Sequence, residues 1–344
     1  EAVSSALGGA RIMHTVGGPQ GATVDEVVGN PDHALGQVVT AVEAERASGD
    51  QPMVLIATGN LDFDARVAAV TGSGVVLVAD GEGCSDDAAL TRIRMAVAEL
   101  RTRYAAPLAV VLTGEVDEKP KLDVPVVSLD DADGLASALS ADVPVIMTPQ
   151  RFQWWLLQQA KENRRHIVLP EGEDDRILIA ANELLSSDIC DLTILGDPEF
   201  IKDRARVLGL DLSKAALMDP ATSPHLDSFA EEFAELRKSK GITIDEARET
   251  MNDISYFATM MIHKGLADGM VSGAANTTAH TIKPSFQIIK TKPGASTVSS
   301  LFLMVMDDRL WGFADCAVLP KPTPEQLGEI AVVSAETAAN FGIE

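Results

Sequence analysis

Aromatic residues are scarce, 4% of the 344 positions. Base-stacking platforms for single-stranded nucleic acid therefore have little material. Basic residues are scarce too: 28 Lys and Arg stand against 51 Asp and Glu, for a formal net charge of -23. A binder of the nucleic-acid backbone needs the opposite balance, so no nucleic-acid partner is expected. No apolar run reaches the roughly eighteen residues of a membrane-spanning helix, so no membrane partner is expected either. Cysteine is rare. Cys84, Cys190 and Cys316 lie far apart with no C-x-x-C pair. That spacing fits neither a disulfide framework nor a zinc site, and it points to a reducing cytoplasm with all three as buried or free thiols. The opening Glu1-Ala2-Val3-Ser4 lacks the charged and apolar regions of a secretory signal, and it lacks a starting Met, so a processed or cut chain is expected. The phosphate-cradling pattern G-x-x-x-x-G-K-[ST] occurs nowhere, which argues against ATP hydrolysis.

What is present is apolar content, 46%, in a chain long enough for two domains that each bury a core. Gly8-Gly9 and Gly17-Gly18 read as turns. Pro31-Asp32 opens a helix through Ala47, with Leu35, Val38, Val39 and Val42 at helical spacing. Met53–Ala57, Gly74–Ala79, Leu108–Leu112 and Val124–Val127 are apolar runs of strand length. Helices at Asp64–Val70 and Asp86–Tyr104 alternate with them. Strands that are apolar throughout, and alternate with helices, predict parallel sheets covered on both faces: an α/β fold in each of two domains, 1–145 and 146–344. Thr148 and Pro149 set up the N-cap and first turn of a helix through Asn163. In that helix Trp154 and Trp155 read as packing residues rather than a stacking platform. Ala79-Asp80-Gly81 reads as a plain turn. Thr297–Met306 and Leu310–Ala314 are expected to pair around Asp307-Asp308, followed by a helix from Pro324 to Phe341 capped by Thr323.

The most informative stretch runs from Asp268 to Pro293. An apolar step, Gly269-Met270-Val271, reads as the end of a buried strand. Ser272-Gly273-Ala274-Ala275 then lets a backbone come close to a ligand. Asn276, Thr277, Thr278 and Thr281 follow at a helix start, where N–H groups and the helix dipole favour an anion. From Ser255 to Met306 the only carboxylate is Asp268, while Lys264, Lys283, Lys290 and Lys292 are basic. Such an island in an acidic chain points to an anionic substrate.

Other residues carry an ordinary structural explanation as well as a functional one. Glu171 and Asp174, after the apolar run His166–Leu169, fit an acid/base pair, and equally fit acidic capping of a helix start. Phe229–Gly241 reads as an amphipathic helix whose Arg237, Lys238 and Lys240 complement its C-terminal end before a Gly stop. Cys316 has no His near it in sequence and is read as a buried thiol.

Three segments share a wording: S-G-A-x-x-T-T-A-x-T-I-K-P, then I-K-T-K-P-G-A-S-x-V-S-S, then F-A-D-C-A-V-x-P-x-P-T-x-E-Q-L-x-E-I-A. With V-L-P-E-G-x-D-x-R, they resemble the phosphate acetyl/butyryl transferase family from about Thr148 to Glu344. The N-terminal region resembles, more weakly and mostly by pattern, the dethiobiotin-synthetase-like domain that precedes the catalytic domain in long family members. The resemblance implies reversible transfer of an acetyl group between acetyl phosphate and coenzyme A, with coenzyme A as substrate and no cofactor or metal. It also implies small-molecule partners and a homo-oligomer. The long N-terminal extension favours acetyl over butyryl transfer; a non-catalytic acyl-phosphate or coenzyme A binding module is the alternative from another class. A malic-enzyme-linked version is disfavoured because no malic domain precedes the matched part.

By motif, Arg237 corresponds to a family arginine that contacts phosphate, and a guanidinium fork suits two phosphate oxygens. The family's second arginine, in T-x-R-P, is Lys283 here, which keeps the charge and loses the fork. Ser272, Gly273, Thr277, Thr278 and Thr281 complete the expected substrate-binding set. The family's S-x-S-T-x-G-S-like loop and its proposed aspartate base are not in this sequence. The matched domain is therefore expected to be incomplete, with the general base beyond Glu344.

Overall fold

The computed structural model describes residues 2–18, 21–80, 87–113, 119–293 and 295–343. By internal contacts the chain divides into two units: Glu1–Trp155 with Leu301–Phe313 and Glu336–Glu344, and Leu156–Ser300 with Ala314–Ala335. Of the expected turn Ala79-Asp80-Gly81, Ala79 and Asp80 instead end a strand, and Gly81, like Cys84, lies outside the described residues.

The first unit opens with α1 (Ala2–Ala6), β1 (Arg11–His14), α2 (Val24–Gly29), α3 (Pro31–Ala47) and β2 (Met53–Ile56). It continues with α4 (Leu61–Thr71), β3 (Gly74–Asp80), α5 (Asp87–Thr102), β4 (Ala106–Thr113), β5 (Val126–Ser128) and α6 (Ala132–Leu139). Helix α7 (Pro149–Glu162) follows, with Thr148 accepting the Arg151 N–H at 3.3 Å as its cap. Strands β3, β4 and β5 form one parallel sheet, and β1 and β2 a second. The apolar strands behave as their composition requires. Val110 and Leu112 of β4 pack with Ile93 and Val97 of α5, while Ala109 and Val111 face Leu135 and Ala138 of α6. Both faces are covered, so alternation with polar residues is absent. Strand β1 was not expected from sequence: Ile12 and Met13 are too short a run to stand out, and pairing with β2 makes the strand. Trp155 stacks on Phe152 at 6.1 Å between ring centroids, and Trp154 packs on the α3–α4 core.

The second unit contains β6 (His166–Leu169), α8 (Asp175–Ser186), β7 (Asp191–Leu195), α9 (Pro198–Leu208) and β8 (Ala216–Met218). Then come α10 (Leu226–Leu236), α11 (Ile244–Met251), α12 (Ile254–His263), β9 (Gly269–Met270) and α13 (Thr278–Ile288). The parallel sheet runs β8-β7-β6-β9. On one face Leu169, Leu192 and Ile194 meet α8 and α9. On the other, Val168 and Leu195 meet Phe229, Phe233 and Phe257 of the α10–α13 layer. Each of these rings is almost wholly buried, and burying one contributes about 2–3 kcal/mol before entropy is subtracted. Helix α10 ends at Leu236, short of the expected Gly241. Arg237 leaves helical geometry, a 3₁₀ turn spans Lys238–Lys240, and Gly241 closes it at φ 74°.

The chain ends with a hairpin of β10 (Leu301–Val305) and β11 (Leu310–Ala314), then α14 (Pro324–Ala339). Thr323 and Gln326 cap α14 reciprocally, as the position of Thr323 predicts. The first strand of the pair begins at Leu301 rather than Thr297, because the amides of Ser296, Thr297 and Ser300 bond side-chain carboxylates instead of a neighbouring strand. No helix among the described residues is long and apolar enough to cross a membrane.

Candidate functional site

In the second unit the chain steps from β6 through β7 to β8 and then returns to lay β9 on the other side of β6. The strand order reverses between β6 and β9. In open α/β sheets ligands favour the crevice at such a reversal. Here it is bounded by Pro170-Glu171-Gly172 after β6 and by the 271–277 segment after β9. A cleft of about 460 Å³ opens beside it, lined by Glu171, Gly172, Asp174, Gly196, Ile254 and Asn276 among others. Gly172 is required: a Cβ there would fall 2.4 Å from the Leu195 carbonyl oxygen. Its N–H donates to that same oxygen at 3.1 Å, drawing the two strand ends together.

The centre of the crevice is a carboxylate. Glu171 is 4% exposed. Its Oε2 accepts the N–H groups of Gly273 and Ala274, each at 2.9 Å. Its Oε1 accepts those of Ala275 at 2.8 Å and Asn276 at 2.7 Å, with Asn276 Nδ2 at 3.0 Å. The sequence predicts that these amides favour an anion, and the anion they hold is the protein's own. Burial pushes the Glu171 carboxyl up, but the amides of Ala275, Ala274, Asn276 and Gly273 together outweigh it and hold it below the ordinary value. Arg176 seals the loop from outside: its Nη2 donates to the Ala274 carbonyl at 2.6 Å while the guanidinium grips Asp174. Asp174 caps α8, and Arg176 depresses its pKa to about 2. The pair weighed as acid and base thus divides into a loop clamp and a helix cap.

Gly273, at φ 119°, takes the conformation its loop needs. Thr277 is the N-cap of α13 and accepts the His280 N–H at 3.3 Å, with Thr278 exposed behind it. The Thr281 hydroxyl donates to Ser272 Oγ at 3.3 Å, so the loop and the first turn of α13 share a polar seam. His280 binds the other way, to Asp253 at 2.6 Å and to Ser255 at 3.2 Å, tying α13 to the start of α12. Ser255 is fully buried, so this Ser-His-Asp contact is a brace and not a nucleophilic site. Helical spacing puts Lys283 in the row His280–Lys283–Gln287. Gln287 accepts the Tyr256 hydroxyl at 3.2 Å. Burial and then Asp253 push the Tyr256 phenol up, and the positive charge of Arg237 works against them. Arg237 thus lies close enough to act on Tyr256 of α12, and Lys283 stands on α13, one turn after His280. Arg237 is half-buried and Lys283 exposed. Among the described residues neither pairs with a carboxylate. The five residues Ser272, Gly273, Thr277, Thr278 and Thr281 gather at the loop and helix start.

Two further carboxylates escaped the sequence reading. Asp315 accepts the Ser300 hydroxyl at 2.5 Å and N–H groups of Ser300 and Leu319 at 2.8 and 2.6 Å. Burial raises its pKa, and the Ser300 hydroxyl with the amides of Leu319, Ser300 and Ala317 drives it far lower. Glu329 holds the amides of Ser296 at 2.6 Å and Thr297 at 3.2 Å. Cys316 is half-buried rather than buried, and its N–H donates to Ser300 Oγ. Cys190 is buried, which pushes its thiol up. A signal for Glu171 did exist, an acid just past the end of an apolar strand and its Pro170, but its donors lie about a hundred residues away.

Residues 151–344 match the family model described as phosphate acetyl/butaryl transferase. The phosphate acetyltransferase of Corynebacterium glutamicum is 70% identical over 198 residues, 58% of this chain and 60% of the relative. That of Nitratidesulfovibrio vulgaris is 50% identical over 214 residues, 62% of this chain and 30% of the relative. A phosphotransacetylase from Streptococcus pyogenes superposes with a TM-score of 0.55 at 39% identity, covering 57% of this chain and 60% of that one. The EutD phosphotransacetylase from Staphylococcus aureus gives 0.51 at 43%, covering 55% and 58%. The chain thus spans no more than 60% of the length of these relatives. With the match covering everything from the third residue of α7 onward, more than half of the sequence, the chain belongs to the phosphate acetyl/butaryl transferase family.

Proposed function

We propose that the protein of which this chain is a part is a phosphate acetyltransferase, interconverting acetyl phosphate plus coenzyme A and acetyl-CoA plus phosphate. The observation that carries this reading is the 70% identity over 198 residues to a phosphate acetyltransferase. Arg237, near Tyr256, and Lys283, on α13, support it: in a strongly acidic chain neither pairs with a carboxylate among the described residues. In the proposed reaction a general base removes the coenzyme A thiol proton. The thiolate attacks the acyl carbonyl, the carbon–oxygen bond to phosphate breaks, and phosphate leaves. Arg237 grips two phosphate oxygens, and Lys283 adds a point charge. Ser272, Thr277, Thr278 and Thr281 offer hydroxyls at the helix start. Coenzyme A is substrate, and no bound cofactor takes part. The reaction is proposed as cytoplasmic and carried out by a homo-oligomer, consistent with the exposed Phe302, Trp311 and Phe313.

The test is thioester formation by the full-length protein from coenzyme A with acetyl phosphate, and with butyryl phosphate in parallel. Acetyl transfer in preference to butyryl is expected, and the absence of any transfer overturns the assignment. Arg237→Ala is expected to raise KM for acetyl phosphate by more than about tenfold while leaving the unfolding midpoint in place. Unchanged kinetics in that variant remove Arg237 from the site.

A further inference from the structure

We infer that Glu171 is a positioning residue of the acyl-transfer site, fixing where α13 begins and hence where Ser272, Thr277, Thr281 and Lys283 stand. This rests on the acetyltransferase reading above. Four consecutive amides, from Gly273 to Asn276, end on one carboxylate, which sets the path of the loop residue by residue. The next residue is Thr277, the cap of α13, so no slack remains between the clamp and the helix. The carboxylate itself cannot move away. Glu171 is 4% exposed, its own carbonyl accepts the Asp174 N–H at 3.1 Å, and it leads into Gly172, which is locked against β7. Ala274 is held at both ends, its N–H by Glu171 and its carbonyl by Arg176.

The arrangement has a chemical consequence. Amides at a strand-to-helix turn ordinarily serve a bound phosphate. Here all four are spent on Glu171, so an incoming acyl phosphate meets a preformed loop and is held by side chains. Glu171 touches neither the reacting atoms nor the phosphate, and it acts through the loop.

Glu171→Gln is the sharp variant, because either orientation of the amide turns an NH2 donor toward at least two loop N–H groups. Glu171→Asp keeps the charge on a shorter reach and is the partial rescue. The full-length protein and both variants are compared by steady-state kinetics and by hydrogen exchange of the 273–276 amides. Expected for Glu171→Gln are amide exchange faster by about tenfold or more, KM for acetyl phosphate raised by about tenfold, and KM for coenzyme A within about twofold. Glu171→Asp is expected between the two. Loosened amides with unchanged KM for acetyl phosphate overturn the inference, since the clamp is then structural only. Unchanged exchange overturns it as well, as does an equal rise in both KM values. If Glu171→Gln does not fold, Asn276→Ala removes the side-chain bond to Oε1 alone, and the same selective rise, smaller, is required. An inactive wild type overturns the acetyltransferase reading and this inference with it. An active wild type with an unaffected variant overturns this inference alone.

Discussion

Two strand-to-loop turns in this molecule solve the same problem by different means. After β2, in the first unit, Asp64 accepts the Thr58 N–H at 2.8 Å and the Gly59 N–H at 2.9 Å. After β9, in the second, Glu171 accepts four loop amides. Both carboxylates satisfy N–H groups that a turn leaves without strand partners. Asp64, however, sits in the first turn of the helix that its loop feeds, five and six residues from its donors, and the bonds are exposed. Glu171 reaches across from another strand, more than a hundred residues earlier, and its carboxylate is buried. A local, wet clamp competes with water at every bond and adds little. A distant one with a buried carboxylate closes a long loop and leaves partly shielded donors without their partner if it is lost, so it commits the whole crevice.

That contrast can be broken or sharpened by substitution. Glu171→Gln carries the largest expected cost, about 3 kcal/mol, because a buried NH2 group then faces the part-buried loop donors and leaves both sides unsatisfied. Urea unfolding checks it, and a loss as small as that of an exposed cap would erase the distinction. The same variant has a pH signature. The Glu171 carboxyl is depressed in the folded state, so its contribution is complete above the ordinary, unfolded value of about 4.5. It is lost as the pH falls through the lower, folded value. The stability gap between wild type and Glu171→Gln should therefore be constant near neutrality and close on acidification. A gap that widens in acid contradicts the assignment. Asp315→Asn falls between the extremes, at about 2 kcal/mol, since its donors include the Ser300 hydroxyl from the far side of the hairpin as well as its own neighbours. The exchange rates of the Ser300 and Leu319 amides report it. Asp64→Asn is expected to cost under about 1 kcal/mol and to loosen only Thr58 and Gly59. Exchange spreading beyond that turn would mean that the local clamp does more than its geometry implies.

Much of this was legible in the residues. Runs such as Ala109-Val110-Val111-Leu112 declare a strand buried on both faces, and β4 is buried on both faces. Thr148 and Thr323 mark the helices they cap, because a cap and its donor lie two or three positions apart. The polar start of α13, with Thr277 as cap, was visible as well. Strand β1 was not, because four residues with two apolar side chains carry no periodic signal. The early end of α10 was also hidden. Arg237 and the lysines after it are good helix formers, and only the turn into Gly241 shows where the helix stops.

The sequence by itself determined what depends on near neighbours: the alternation of strands and helices, the parallel sheets, the caps, and a turn after β9 whose amides favour an anion. Tertiary structure alone decided which anion. The strand order β8-β7-β6-β9 brings the end of β6 beside the end of β9, and Glu171 into reach of amides 102 to 105 positions away. The same folding sets His280 against Asp253 and Ser255. A hydrogen bond joins atoms about 3 Å apart in space, and separation along the chain carries no record of that distance until the sheet has formed.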